Sequence, residues 1–240
     1  MQIRKDLTES HSRLFAQLAE PGTWLSAIER ASIVAELRIV KDCRYCTERK
    51  AVLAPKLPKG SHTTQDDDLN EDQVELIHRL VSDPGRISRI YVDSLLANGM
   101  TDGEYVEISA IVSAVVVADT FDLALGRLPR TSLEPIPGEP SQRRPQTAAM
   151  EDAFVPLIAA NALEGDYSDL YDTQRMVPNV HRAFSLVPDC TRIANDLMAS
   201  HYLPYEWVPL YKDEDHNRAI DKMQMELIAS RVSRHNDCFY

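Results

Sequence analysis

Two cysteines separated by two residues stand in the run Cys43-Arg44-Tyr45-Cys46. On a turn or at a helix boundary, that spacing puts the two sulfurs within disulfide reach of each other. If a helix follows, its first backbone amides favour a thiolate and make it nucleophilic. Arg44 and Lys50 add positive charge close by. Attack of one thiolate on a peroxide or a disulfide, with the second sulfur resolving the product, is the reaction class such a pair serves. The same residues have two other readings. One is a pair of buried, inert cysteines, which Arg44, Glu48 and Arg49 oppose because they imply a partly exposed turn. The other is half of a zinc site, which needs two further ligands. No second C-x-x-C and no H-x-x-x-H accompanies the pair, so neither a metal nor a cofactor is expected.

A second group of reactive side chains lies between Glu226 and Cys238, in Glu226-Leu227-Ile228-Ala229-Ser230-Arg231-Val232-Ser233-Arg234-His235-Asn236-Asp237-Cys238. His235 sits where it can hydrogen-bond locally near Cys238. Other candidates have plainer readings. His78 and His181 fall in apolar helical contexts and read as packed or surface residues. Cys190 reads as a buried spectator, residues 66–68 as a solvated acidic loop, and Tyr205 with Trp207 as packing.

These residues must be positioned by helices. Gly is scarce, with 8 residues, and Ala, Leu, Ile, Val, Glu and Arg are plentiful, which favours helix. Apolar periodicity predicts helices over 8–19 and 24–42, the latter capped by Thr23 and ending at Cys43. A short continuation over 47–53 is stopped by Pro55 and Pro58, and 59–68 reads as an exposed polar loop. Asn70 with Gln73 opens a helix over 71–82, and another follows over 86–97. Thr101 and Glu104 form a capping box before a helix over 106–125, which is apolar on nearly every face around 108–117. Such a helix is buried in a bundle or at a subunit contact. Residues 129–147 hold five of the 14 prolines and read as a linker. Beyond it, helices are expected at 148–163, 189–201, 204–210 and 215–235, with 166–185 mixed and no strand. Proline-led helices after Pro84 and Pro188 hint at two related units. The chain is therefore read as all-α, with units at 1–128 and 148–240 joined by the linker.

Charge and hydropathy narrow the function classes. The net charge of −11 argues against nucleic acid, whose phosphates need clustered Lys and Arg. No run reaches the ~18 apolar residues of a membrane span, and the N-terminal residues lack the apolar core of a secretion signal. The expectation is a cytoplasmic protein without membrane partners. In a reducing compartment, a close cysteine pair is catalytic or metal-binding more often than structural.

The segment from Glu226 to Cys238 resembles the core of the alkylhydroperoxidase D / carboxymuconolactone decarboxylase family: Glu, eleven residues, Cys, two residues, Cys, three residues, His. The Glu, the small and apolar helix positions, the Ser-x-x-Asn and the first Cys match. The second Cys and the His would fall beyond Tyr240. The stretch from Glu29 and Arg30 to Lys50 looks like the same helix–C-x-x-C element, followed by the helices over 71–127. Residues 177–238 look like the approach helices of peroxidase-related members. The resemblance implies an alkylhydroperoxidase D-like helical bundle that forms homo-oligomers. In the family, a Glu–His relay deprotonates the second cysteine, which attacks peroxide, and the first cysteine resolves it. Those roles carry to Cys46 and Cys43. Counting back twelve from Cys43 gives Ala31 instead of Glu, and counting four on from Cys46 gives Lys50 instead of His. Glu36 is the acidic residue that can substitute, and a solvated helix face is its plainer reading.

The expected activity is a thiol-dependent peroxidase or disulfide oxidoreductase. Its candidate residues are Cys43, Cys46, Glu36 and Lys50 in the first unit, and Glu226, His235 and Cys238 in the second. Its partners would be a peroxide or other small substrate and a thiol or disulfide reductant protein. A carboxymuconolactone decarboxylase-like enzyme on a small organic acid, and a non-catalytic oligomer with degenerate sites, are the alternatives.

Overall fold

The helix that leads to the dithiol begins later than the apolar pattern suggests. Ser26 and Glu29 close a reciprocal capping box, with Ser26 Oγ accepting from the Glu29 amide and Glu29 Oε2 accepting from the Ser26 amide. That pairing satisfies two amides that an earlier start would leave open. Helix α2 therefore spans Ala27–Ile39, capped by Ser26 and not by Thr23, and a single 3-10 turn, Val40–Asp42, carries the chain to Cys43. Helix α1, Lys5–Leu18, precedes it. Helix α3, Arg44–Ala51, starts directly after Cys43, and α4, Glu71–Ser82, uses the Asn70–Gln73 capping box. A 3-10 turn at Pro84–Arg86 leads to α5, Arg89–Ala97, capped by Ser88. Helix α6, Asp102–Ala124, follows the Thr101–Glu104 box. This computed structural model describes all residues except 1–2, 55, 66, 131–132, 173–176, 209–217, 237 and 239–240.

The molecule is mainly helical, as expected, with one correction after the proline-rich segment. Residues 148–163 are not a helix. Ala148–Ala149 (β1) and Leu157–Ile158 (β2) pair antiparallel in a two-stranded sheet, with Ala148 opposite Ile158. Pro156 explains the difference, because in a helix interior it lacks the amide and clashes with the preceding turn. The remaining helices are α7 (Asn179–Arg182), α8 (Pro188–His201) and α9 (Lys222–His235), the last capped by Asp221 and Gln224. Of 204–210, only Tyr205–Trp207 forms a 3-10 turn, and residues 209–210 lie outside the described set, as do 215–217 ahead of α9. Among the described residues, no helix is long and apolar enough to cross a membrane.

Helix α6 is the axis of the packing. Buried residues from Tyr105 to Ala118 meet α2, α4 and α8 in one apolar core, to which Leu18, Ile33, Leu76, Ile77, Leu95 and Leu186 contribute. Burying each such side chain contributes about 1.5–3 kcal/mol. Two ion pairs, one half-buried and one buried, fix α2 on α6. Arg38 makes a two-pronged bond to Asp119, at 2.7 and 3.0 Å. Arg30 Nε lies 3.5 Å from Glu107 Oε1, while Glu107 Oε2 accepts from the Trp24 amide at 2.7 Å. Gly22 is required beside them, since a Cβ there would come within 1.7 Å of Glu107 Oε1. The proline-rich segment does not stand away from this core. Ile136 donates its amide to Ala19, Gln142 donates to Thr23, and Arg144 grips Asp102 at 2.6 and 2.7 Å.

Helix α8 closes the bundle against α1. Ser10 and Ser200 share a hydrogen bond of 2.8 Å, and His11 Nε2 and His201 Nε2 meet at 2.7 Å, with both rings edge-on to Phe121. Burial pushes both histidines below their ordinary pKa, His201 to about 4, against attraction from Asp119 and Asp122 on His11 and from Asp6 on His201; Arg130, Arg4 and the other ring act with burial. The unfolded chain therefore binds more protons than the folded one once pH drops below about 6.5. Stability from this pair is complete above that value and is lost as pH falls from there towards 4. Urea midpoints measured at pH 7 and pH 5 should differ accordingly, and the His201→Gln variant should shrink the difference.

Candidate functional site

Cys43 is the N-cap of α3, with extended backbone (φ −75°, ψ 110°). Cys46 lies on the first turn of α3, so both sulfurs face the same side. Both thiols are free and buried. Opposite them stands His78 on α4, fully buried, with Nδ1 3.2 Å from Cys46 Sγ. Its other nitrogen, Nε2, lies 2.8 Å from Glu36 Oε1 on α2. A carboxylate only accepts, so Nε2 carries the ring proton and Nδ1 presents its lone pair to the sulfur. Glu36 is itself 1 % exposed, and its second oxygen accepts from Thr64 Oγ1 at 3.1 Å.

A second histidine reaches the sulfurs from the loop between α3 and α4. His62 Nδ1 lies 3.5 Å from Cys46 Sγ and 3.6 Å from Cys43 Sγ, and its Nε2 is 2.7 Å from Glu75 Oε2. The loop passes close over Tyr45, where Gly60 makes room: a Cβ would sit 3.0 Å from the Tyr45 ring. Tyr45 then packs edge-on against His62, with ring centroids 5.0 Å apart. Glu75 is held in turn by Arg49 Nη1 at 2.7 Å and Arg79 Nη2 at 2.9 Å. The site thus consists of two sulfurs and two imidazoles, and each imidazole is backed by its own carboxylate.

The charges follow from these contacts. Burial raises the Cys43 thiol, but the amides of Cys46 and Thr63 and the side chains of His62 and Cys46 outweigh it and hold the group at about 7. Burial works against a charged His62, yet the two sulfurs and Glu75 push it up to about 10. Burial likewise opposes ionisation of Glu75, and His62, Arg49 and Arg79 pull it down to about 2. His78 goes the other way. Burial and the neighbouring His62 keep it below the ordinary imidazole value despite the pull of Glu36. The two rings are therefore set apart, one cationic and one neutral.

Of the residues singled out in the sequence, Cys43, Cys46 and Glu36 come together here, Glu36 through His78. Lys50 lines a surface cleft of about 420 Å³ that also exposes the edge of Cys46, together with Lys41, Thr47, Val81 and Ser82. Glu226, His235 and Cys238 lie elsewhere. Glu226 on α9 bonds the Tyr202 hydroxyl and pairs with Lys222 at 3.1 Å, His235 ends that helix, and the exposed Cys238 donates its amide to Ser233. Cys190 is a buried thiol pushed upward by burial.

Two site residues, His62 and Glu75, are not singled out in the sequence, and a third, His78, reads there only as a packed or surface residue. His62 falls in a segment that reads as exposed loop, His78 in one that reads as packing, and Glu75 on the polar face of α4. The available signal is Glu75-Leu76-Ile77-His78, whose spacing sets a carboxylate and an imidazole on neighbouring faces of one helix turn. The chain matches no family model, no curated protein and no solved structure.

Glu75 holds three cationic groups in place, so its removal leaves them uncompensated in a mostly buried setting. Glu75→Ala should cost about 3 kcal/mol in urea unfolding. A loss below about 1 kcal/mol would mean that the carboxylate is a solvated bystander.

Proposed function

We propose that the chain is a thiol-dependent oxidoreductase of the alkylhydroperoxidase D type, reducing a peroxide or a disulfide through Cys46 and Cys43. The observation that carries this reading is the line Cys46 Sγ, His78, Glu36, with separations of 3.2 and 2.8 Å. A thiol, an imidazole and an orienting carboxylate in hydrogen-bond sequence form an activated nucleophile. The resemblance to the family asks for such a Glu–His relay, which the spacing after Cys46 does not supply. Here a helix outside the C-x-x-C element provides the imidazole.

Cys46 is the attacking sulfur because it borders the cleft with Lys50, whereas Cys43 is fully enclosed. His78 takes the Cys46 proton on Nδ1, while Glu36 accepts from Nε2 and steadies the imidazolium. The thiolate attacks one peroxide oxygen. An S–O bond forms, the O–O bond breaks, sulfur is oxidised to the sulfenic acid, and the departing alkoxide takes the proton from His78. Cys43 then attacks Cys46 sulfur, the S–S bond forms and water leaves. A thiol or dithiol reductant returns the pair to its starting state by exchange. Lys50 helps to draw anionic substrates to the cleft. The relatedness of the two halves, and assembly through the apolar surface of α6, belong to the same family reading.

The test is thiol labelling with peptide mapping on the reduced, chelator-treated chain, before and after a small excess of hydrogen peroxide. The expected product is a Cys43–Cys46 disulfide reversed by dithiothreitol. Cys43→Ser should stop at a Cys46 sulfenic acid, and His78→Gln should slow oxidation about 10²-fold. Unreactive Cys43 and Cys46 in the folded chain, or an oxidation rate indifferent to His78→Gln, would overturn the reading.

A further inference from the structure

The four ligand-type atoms of the site, Cys43 Sγ, Cys46 Sγ, His62 Nδ1 and His78 Nδ1, all lie within 4.8 Å of one another. Their sulfur–nitrogen separations are 3.6, 3.5 and 3.2 Å. In a tetrahedral zinc centre, Zn–S bonds of about 2.3 Å and Zn–N bonds of about 2.0–2.1 Å require sulfur–nitrogen edges of about 3.5 Å. Three of the sulfur–nitrogen edges thus already lie within about 0.3 Å of that size, and the remaining pairs are within 4.8 Å. We propose that Cys43, Cys46, His62 and His78 bind a divalent zinc ion as a Cys2His2 centre.

Three further features point the same way. Both histidines offer the same atom, Nδ1, towards the common centre, and both donate Nε2–H to a carboxylate, His62 to Glu75 and His78 to Glu36. Carboxylate–histidine pairs of this kind fix the tautomer and ring direction that metal ligation needs. The charges also close. Two thiolates neutralise the ion, and Glu75 is already paired with Arg49 and Arg79. The donor set then selects the metal, since two sulfurs and two imidazoles in a tetrahedral arrangement suit zinc over the hard oxygen-seeking cations. The ligands come from three separate elements: the turn that opens α3, the following loop and α4. This is why no short sequence spacing announces the site.

Binding exchanges two thiol protons, together with any proton on His62, for the ion, and those protons pass to solvent. Metal binding and disulfide formation exclude each other, because both use the same two thiolates. The proposal rests on ligand geometry and holds whether or not the dithiol turns over peroxide.

The full chain, reduced and stripped of metal under anaerobic conditions, should be titrated with Co2+. The expected result is saturation at one equivalent, with the ligand-field bands of tetrahedral cobalt in the red and thiolate-to-cobalt charge transfer in the near ultraviolet. One equivalent of Zn2+ should bleach both and raise the thermal unfolding midpoint. His78 is fully buried and its replacement can unfold the chain, so His62→Ala, on the loop, is the decisive variant. It should weaken cobalt binding at least about tenfold and shift the bands. Cys190→Ser and Cys238→Ser should leave the spectrum intact. Absence of tetrahedral bands in the wild-type chain, or a spectrum unaltered by His62→Ala, would overturn the proposal. A peroxide-silent dithiol with a normal cobalt spectrum would remove only the oxidoreductase reading, and the reverse pattern only the metal site.

Discussion

A carboxylate and an imidazole, both shielded from water, face each other at 2.8 Å between α2 and α4. An ionisable group in such a place costs several kcal/mol unless every polar atom finds a partner. Glu36 and His78 therefore impose conditions on whatever surrounds them. One oxygen of Glu36 is met by His78, the other by Thr64, and the remaining ring nitrogen by Cys46. Those needs bring α3 and the loop before α4 against the same point. With His78 in place, the neighbouring loop delivers His62, and Glu75 and the two arginines follow as its counterweight. The polar site is the consequence of satisfying one buried pair.

An apolar frame makes this arrangement sustainable. Ile33, Leu37, Val40 and Ile77 belong to the same buried apolar cluster as Cys43 and Cys46, and α6 packs on α2 and α4. The same frame keeps water from the sulfurs and lets hydrogen bonds and charges act at short range and low dielectric. A cleft beside Cys46 and Lys50 opens onto the site. The two readings of the tetrad, redox dithiol and zinc centre, draw on one physical design: sulfurs and Nδ1 atoms gathered at one point, with a carboxylate behind each ring.

Much of the helical architecture was legible in the sequence because caps and periodicity are local. Asn70 with Gln73, and Thr101 with Glu104, mark their helix starts as the structure has them. The apolar run inside α6 identifies a central helix. The start of α2 was misplaced because Trp24 and Leu25 continue the apolar pattern, while the Ser26–Glu29 box decides where the amides are satisfied. Over 148–163 the good helix formers around Pro156 suggest a helix, while the chain forms β1 and β2. The dithiol is legible from residue type and spacing, whereas Glu36, whose plainer reading is a solvated helix face, is buried against His78. His62, Glu75 and His78 are not legible in that way, since their roles depend on which helix faces which. A histidine in a polar loop carries no local sign that the loop folds inward over Tyr45.

The claim on which both readings depend is the tautomer of His78. Nitrogen-15 NMR of the reduced, metal-free chain, with ring nitrogens correlated to ring protons and His78 assigned by a His78→Gln control, reads it directly. The account predicts a neutral ring with the proton on Nε2, shared with Glu36, and Nδ1 free of a covalent proton. A His78 ring protonated on Nδ1, or cationic at neutral pH, would contradict it, because Nδ1 could then not accept the Cys46 proton and would have to release its own before ligating a metal.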